Sequence, residues 1–377
     1  MSGPRHILVA FGTRPEAIKL APVIQRLRRE PESFRVTVCA TAQHRQMLDQ
    51  VTGLFGITPD VDLDLMRPDQ TLNDLAARSF AALDGVLRDG APDWLLVQGD
   101  TTTALCAALA AFHRRVRVGH VEAGLRTGDL ERPFPEEMNR RVVDLVASAY
   151  FVPTERSARA LRGEQAPSNR IFLTGNTVVD ALLEMAKSTG PAPEEDLVLI
   201  TVHRRESFGE PLAGIVRAIA RLARQFPRTR FLHVVHPNPN VLAAVARNRD
   251  IPNVELLQPL DYRALVGILR RCRLVLTDSG GIQEEAPTFG KPVLVLRDTT
   301  ERPEGVEAGL ALLTGTGEDA IVSHAARLLS DESARRAMSL GVNPYGDGRA
   351  SDRIADALAG RIFEPFRPAT CAAHSPA

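Results

Sequence analysis

Gly119–Arg141 reads GHVEAGLRTGDLERPFPEEMNRR. It begins as the tail of an apolar run, Val116 to Val121, breaks at Glu122-Ala123-Gly124, and enters a helix at Pro135-Glu136-Glu137 after a polar loop. A loop that leaves a buried strand and opens a helix is the repeating unit of an open parallel sheet, and such loops carry its chemistry. This one delivers two carboxylates, Glu122 and Glu136, to one neighbourhood although they lie fourteen positions apart. Acidic residues in the first turn of a helix also favour its dipole, which is the plainer account of Glu137 and an alternative for Glu136. Glu122 follows a strand directly and has no helix end to stabilise, so it reads as functional.

The same unit recurs on both sides of that stretch. His6–Phe11 is a continuous apolar run, the pattern of a strand covered on both faces, and Gly12-Thr13-Arg14-Pro15-Glu16 turns it into a helix. Arg14 and Lys19 flank that helix start, a place where anions are welcome. A lone glycine there, with no GxGxxG, argues against a dinucleotide cofactor. Further on, the strand Trp94–Val97 ends in Gln98-Gly99-Asp100-Thr101, where Asp100 is either a helix cap or a third inward carboxylate. Alternation without hairpin signals predicts a doubly wound parallel sheet.

Ser188–Asp196, rich in proline and charge, is the best boundary in the chain, and a second alternation starts at once with the strand Leu197–Val202. Domains are therefore expected over 1–180 and 190–349, with a frayed tail over 366–377 and the last helix beginning at Ala350. His203 stands just past a strand, before Arg204 and Arg205, which favours a functional over a core histidine. The strand Leu274–Thr277 runs into Asp278-Ser279-Gly280-Gly281, a small-residue turn whose exposed N–H groups make a cradle for phosphate. Glu285, one turn further, suits ribose hydroxyls, and Arg302 is a candidate phosphate contact.

Bulk composition excludes several classes. At 377 residues the chain is long for one core, and 44% hydrophobic with 24% charged residues is ordinary for a globular protein. The 46 basic and 46 acidic residues cancel, so no bulk field calls for nucleic acid or an anionic membrane. Cys39, Cys106, Cys272 and Cys371 lack metal-ligand spacing, and no apolar run is long enough for a signal peptide or a membrane span. A cytoplasmic protein is expected.

Taken together, FGTRPEAIKLAP (Phe11–Pro22), TAQHRQMLDQV (Thr41–Val51), GDTTT (Gly99–Thr103), GHVEAGLRTGDL (Gly119–Leu130), PFPEEMNR (Pro133–Arg140), TGNTVVDAL (Thr174–Leu182), HRRESFGEP (His203–Pro211), DSGGIQEEAP (Asp278–Pro287), RDTTERPEG (Arg297–Gly305) and NPYGDGRAS (Asn343–Ser351) resemble the non-hydrolysing UDP-N-acetylglucosamine 2-epimerase family. The resemblance runs from about residue 5 to residue 360. It implies an α/β chain of two Rossmann-like, GT-B-like domains with parallel doubly wound sheets and the active site in the interdomain cleft. The C-terminal helix is expected to pack back on the first domain. It also implies a homodimer that interconverts UDP-GlcNAc and UDP-ManNAc without metal or nicotinamide, with no nucleic-acid or membrane partner.

By that resemblance Asp100, Glu122, Glu136 and His203 are catalytic, and Arg14, Lys19, Ser279, Gly280, Gly281, Glu285 and Arg302 hold UDP. Crowded carboxylates are expected to raise at least one pKa. Gln43, Gln46 and His236 match an activator site at which many bacterial members hold a second UDP-GlcNAc; the arginine usual there is Asp69 here, with Arg67 nearby. In the uracil-contacting segment Pro259–Leu265, Leu260 and Leu265 replace the Gln and Phe of some members. The same scaffold serves hydrolysing relatives that release ManNAc, 2-epimerases of related UDP-2-acetamido sugars, GT-B glycosyltransferases and non-catalytic UDP-sugar sensors.

Overall fold

The computed structural model describes residues 3–41, 45–67, 69–190, 192–204 and 207–368, with the backbone alone for 45–47. Gln43 and the side chain of Gln46 therefore lie outside the described residues. The chain divides into two compact units, one formed by Met1–Leu183 with Gly346–Arg367, the other by Glu184–Tyr345.

The first unit carries strands β1 (Arg5–Phe11), β2 (Phe34–Ala40), β3 (Val61–Asp62), β4 (Trp94–Gln98), β5 (Arg117–Val121), β6 (Ala149–Val152) and β7 (Ile171–Leu173). They form one parallel sheet in the order β3-β2-β1-β4-β5-β6-β7. Ile7 to Phe11 are all buried, as expected of a strand with helices on both faces. Each fully buried aliphatic side chain contributes roughly 1.5–3 kcal/mol.

Strand order reverses between β1 and β4, because the chain leaves β3, crosses over, and resumes beside β1. That reversal opens a crevice at the carboxyl ends of the two strands, where their loops turn away in opposite directions. Helix Arg14–Arg28 begins on one side of it and helix Thr102–His113 on the other.

The second unit repeats the plan. Its strands β8 (Leu197–Val202), β9 (Arg230–Val235), β10 (Val254–Leu257), β11 (Leu274–Thr277), β12 (Val293–Val295) and β13 (Ala311–Leu313) pair in parallel in the order β10-β9-β8-β11-β12-β13. Its reversal lies between β8 and β11, the strands that end in His203 and Asp278. The fold is thus α/β, with two Rossmann-like sheets.

The helix after Pro135 spans Glu136–Val146, where the sequence places its entry. Its first turn is polar, and Glu137 and Asn139 are buried there by the loop they tie down. Strand β3 is only two residues long, and helix Thr177–Lys187 starts inside the motif TGNTVVDAL.

Helix Ala350–Ala359 packs on helix Arg14–Arg28 within the first unit. Asp180 fastens its start by accepting from the Ala350 and Ser351 amides at 3.2 and 2.8 Å and from Ser351 Oγ at 2.6 Å. The tail does not fray at residue 366: Phe366 is buried beneath the Arg353 guanidinium, and its N–H reaches the Leu173 carbonyl at 2.9 Å.

His233, in the middle of β9, is fully buried and neither ring nitrogen has a hydrogen-bond partner. Burial drives its pKa down from 6.5 to about 4. The neutral ring is unpenalised at neutral pH, but below pH 6.5 the unfolded chain takes up a proton that the folded unit refuses. At about 1.4 kcal/mol per pKa unit, the shift predicts a stability loss of about 3 kcal/mol between pH 6.5 and 4. Urea unfolding across that range should show His233→Leu lacking this part of the slope; equal slopes in the two proteins would count against it.

Candidate functional site

In the first unit the crevice between β1 and β4 is held by a carboxylate that composition does not single out. Glu16 is almost fully buried, and its Oε2 accepts from the Gly12 amide (3.0 Å), the Thr13 amide (2.7 Å) and Thr13 Oγ1 (2.7 Å). Its Oε1 accepts from Thr101 Oγ1 at 2.6 Å, across the crevice. Burial pushes this carboxyl up, against the opposing pull of the bonds from Thr101, Thr13 and Gly12. Gly12 is crowded as well: a β-carbon there would sit 2.3 Å from Thr41 Oγ1 and 2.5 Å from Thr103 Oγ1. Three loops thus converge, and only glycine fits between them.

Glu122 sits at the end of β5 in a left-handed backbone conformation, with φ of 66°. Its carboxylate is buried, and Oε2 accepts from Lys19 Nζ and Gln98 Nε2, each at 2.5 Å. Lys19, expected to hold UDP, is paired with the Glu122 carboxylate. Asp100 is not the helix cap; Thr101 is, accepting from the Ala104 amide at 3.0 Å. The Asp100 carboxylate instead meets Arg140 at 2.8 Å, while its carbonyl accepts from Asn139 at 2.9 Å. Arg140 is buried, and its Nη1 makes no hydrogen bond.

Glu136 is the first residue of the helix that supplies Arg140, and Arg14 the first of the helix that supplies Lys19. Glu137 does more than favour a dipole: it is fully buried and accepts from the Thr127 and Gly128 amides at 3.0 and 3.2 Å, pinning the loop. Behind these turns His120 bridges Asp144 and the Gly99 carbonyl at 2.6 and 2.8 Å. Burial alone would raise the Asp144 pKa, but the His120 ring and Arg126 outweigh it and hold the carboxyl below its usual range.

In the second unit the crevice between β8 and β11 is also bridged by a carboxylate. Asp278, fully buried, accepts from the His203 amide at 3.1 and 3.0 Å and from the Arg204 amide at 2.8 Å. His203 Nδ1 lies 3.4 Å from the same carboxylate, and its ring stacks on His236 with centroids 5.9 Å apart. The His203 pKa is lowered, first by partial burial and then by Arg204 and His236, with Asp278 opposing; 41% of the side chain remains exposed, so the burial contribution is modest.

Ser279, Gly280 and Gly281 form the turn that opens helix Gly280–Glu285. A β-carbon on Gly280 would lie 3.3 Å from the Arg302 guanidinium carbon and 3.5 Å from Arg204 Nη2, so two cations converge on that helix start. Glu284 orients Arg302 at 2.9 Å. Glu301 meets Arg204 at 3.4 Å and Arg297 at 2.8 Å; burial would raise its pKa, but Arg297, Arg302 and Arg204 bring it to about 2. Glu285 accepts from Tyr262 Oη at 3.2 Å, which draws in the segment Pro259–Leu265.

Known proteins resemble the chain over nearly its whole length. Residues 25–359 match the family model described as UDP-N-acetylglucosamine 2-epimerase. The chain is 50% identical over 368 residues to the UDP-N-acetylglucosamine 2-epimerase of Yersinia pestis, covering 93% of this chain and 98% of that one. It is 49% identical over 368 residues to that of Escherichia coli K12, with the same coverage. Among solved structures it resembles the UDP-GlcNAc 2-epimerase of Neisseria meningitidis bound to UDP-GlcNAc, with a TM-score of 0.90 and 42% identity over 94% of this chain and 100% of that chain.

Gln98, Glu16, Asp278, His120 and Arg140 are absent from the site residues that sequence reasoning picks out. Gln98 and Asp278 are signalled only by their place at strand ends; the others owe their importance to partners distant in sequence. Glu16 gives a direct test. Glu16→Ala leaves four donors without their acceptor and is expected to cost about 3 kcal/mol. Glu16→Gln keeps an oxygen for the Gly12 and Thr13 amides, and urea unfolding should show it losing less than half as much.

Proposed function

The chain belongs to the UDP-N-acetylglucosamine 2-epimerase family, and on that premise we propose that it interconverts UDP-GlcNAc and UDP-ManNAc without hydrolysis. The observation that carries the proposal is the near full-length kinship with these epimerases, joined to a buried Glu122 held by Lys19 and Gln98 beside the Asp100 turn. The meningococcal relative was solved with UDP-GlcNAc, which supports that substrate class.

Carbon 2 of the sugar is not adjacent to a carbonyl, so direct removal of its proton is slow. Breaking the C1–O bond first sends its electron pair to UDP, and loss of the C2 proton yields 2-acetamidoglucal. Protonation of C2 from the opposite face and return of UDP to C1 complete the inversion. The route needs acid/base groups on both faces and cations or dipoles for the departing diphosphate.

Asp100, Glu122 and Glu136 are the groups proposed for the sugar, with Arg140 and Lys19 paired to the first two. Gln98 meets Glu122. His203, Arg302, Arg14, Lys19 and the Ser279-Gly280-Gly281 turn are proposed for the diphosphate, and Glu285 for the ribose. His236, stacked on His203, is the described member of the proposed activator set. A homodimer is proposed through the first unit, where Phe112 and Leu145, 55% and 82% exposed, lie on neighbouring helices.

Incubation of UDP-GlcNAc with the protein in D₂O should give UDP-ManNAc with deuterium at C2, read from the anomeric proton. Free ManNAc as the main product would defeat the non-hydrolysing reading. Glu122→Gln should abolish exchange and leave UDP affinity within a few fold; an active variant contradicts the role assigned. Leu145→Asp should convert a dimer to a monomer by light scattering, and an unchanged mass would remove that face from the interface.

A further inference from the structure

His120 lies in β5, two residues before Glu122, and is fully buried. Its Nε2 is 2.8 Å from the Gly99 carbonyl, which has no hydrogen to give, so Nε2 must donate. Its Nδ1 is 2.6 Å from Asp144 Oδ1. The other oxygen of Asp144 accepts from Arg126 at 2.7 Å and from the Gly124 amide at 3.3 Å, so one carboxyl group joins the ring to the backbone beyond Glu122.

We propose that His120 is a positioning residue whose two hydrogen bonds lock the turn bearing Asp100 to the turn bearing Glu122. Gly99, with φ of 70°, immediately precedes Asp100, so the first bond fixes where that turn leaves β4. The second bond acts through Asp144, which holds the Gly124 amide two residues beyond Glu122. The Gly99 amide also reaches the Val121 carbonyl at 3.1 Å, so the two strand ends are tied on both sides of the ring.

Both bonds are necessary to the lock: a side chain that reaches only one of the two partners leaves the other unmatched in a dry interior. Arg126 meets both Asp144 and Glu164 at 2.7 Å, which holds the Asp144 carboxyl from its far side. The proposal rests on the assignment of Asp100 and Glu122 to the sugar.

His120→Gln keeps a donor but removes the ring that spans the two partners. It is expected to lower kcat by about 100-fold, the effect of displacing reacting groups by about 1 Å, with KM and UDP affinity within twofold of wild type. Asp144→Asn should behave alike, and the double variant should be no worse than either single one, since all break the same lock. Full turnover in His120→Gln, a parallel loss of UDP affinity, or additive losses would overturn the inference.

Neutron diffraction of the unaltered protein tests the ring independently of how the variants fold. Hydrogen on Nε2, facing the Gly99 carbonyl, and one hydrogen between Nδ1 and Asp144 are expected, and a bare Nε2 means that the lock as drawn is wrong. A wild-type protein that fails to epimerise UDP-GlcNAc would sink the functional reading itself, whereas an active wild type with an equally active His120→Gln sinks only this inference.

Discussion

A carboxylate buried where two neighbouring strands send their loops apart is the constraint on which each unit depends. Parallel strands at such a reversal expose backbone amides to a crevice with no further strand to receive them, and a buried amide without an acceptor is costly. Glu16 answers this in the first unit and Asp278 in the second, each collecting amides from one strand's loop and each set against the other strand's turn. The turns so fixed carry Arg14, Asp100, His203 and the glycine pair. Rigidity at the reacting end of the sheet is thus a by-product of satisfying the backbone.

Much of this plan is legible in the residues. The strands β1, β8 and β11 carry continuous apolar runs, and a place just past a strand marks the residues that follow them as candidates. β3 escapes because it is two residues long and half polar, and helix Thr177–Lys187 because its apolar stripe merges into the motif before it. The supporting side chains escape for another reason. Asp278 meets an amide 75 positions away and Lys19 a carboxylate 103 away, and no local pattern encodes such pairings. Glu137 shows the converse: a residue read as a dipole partner turns out to be an anchor for a loop.

Two buried histidines, one in each sheet, show how surroundings decide what an imidazole does. His233 has no partner, stays neutral, and pays for its burial with a depressed pKa. His120 has hydrogen-bonding partners on both sides, and the carboxyl it meets is also held by Arg126. The same side chain at similar depth is a liability in acid in one sheet and a brace in the other. Buried ionic groups add little net stability but restrict the arrangements available to the chain around them. Around Glu122, whose backbone already sits in a disfavoured region, that restriction keeps the turn in one conformation.

The helix Ala350–Ala359 and the buried Phe366 belong to the unit whose other residues end at Leu183. During synthesis the second unit, continuous in sequence, has emerged from the ribosome before the first has all its parts. Until then the Asp180 carboxylate lacks the amides it will fasten, and the nascent first unit presents an uncovered helix face along Arg14–Arg28. The earlier lobe therefore completes its packing only after the later one has been made, when residues 346–367 have followed.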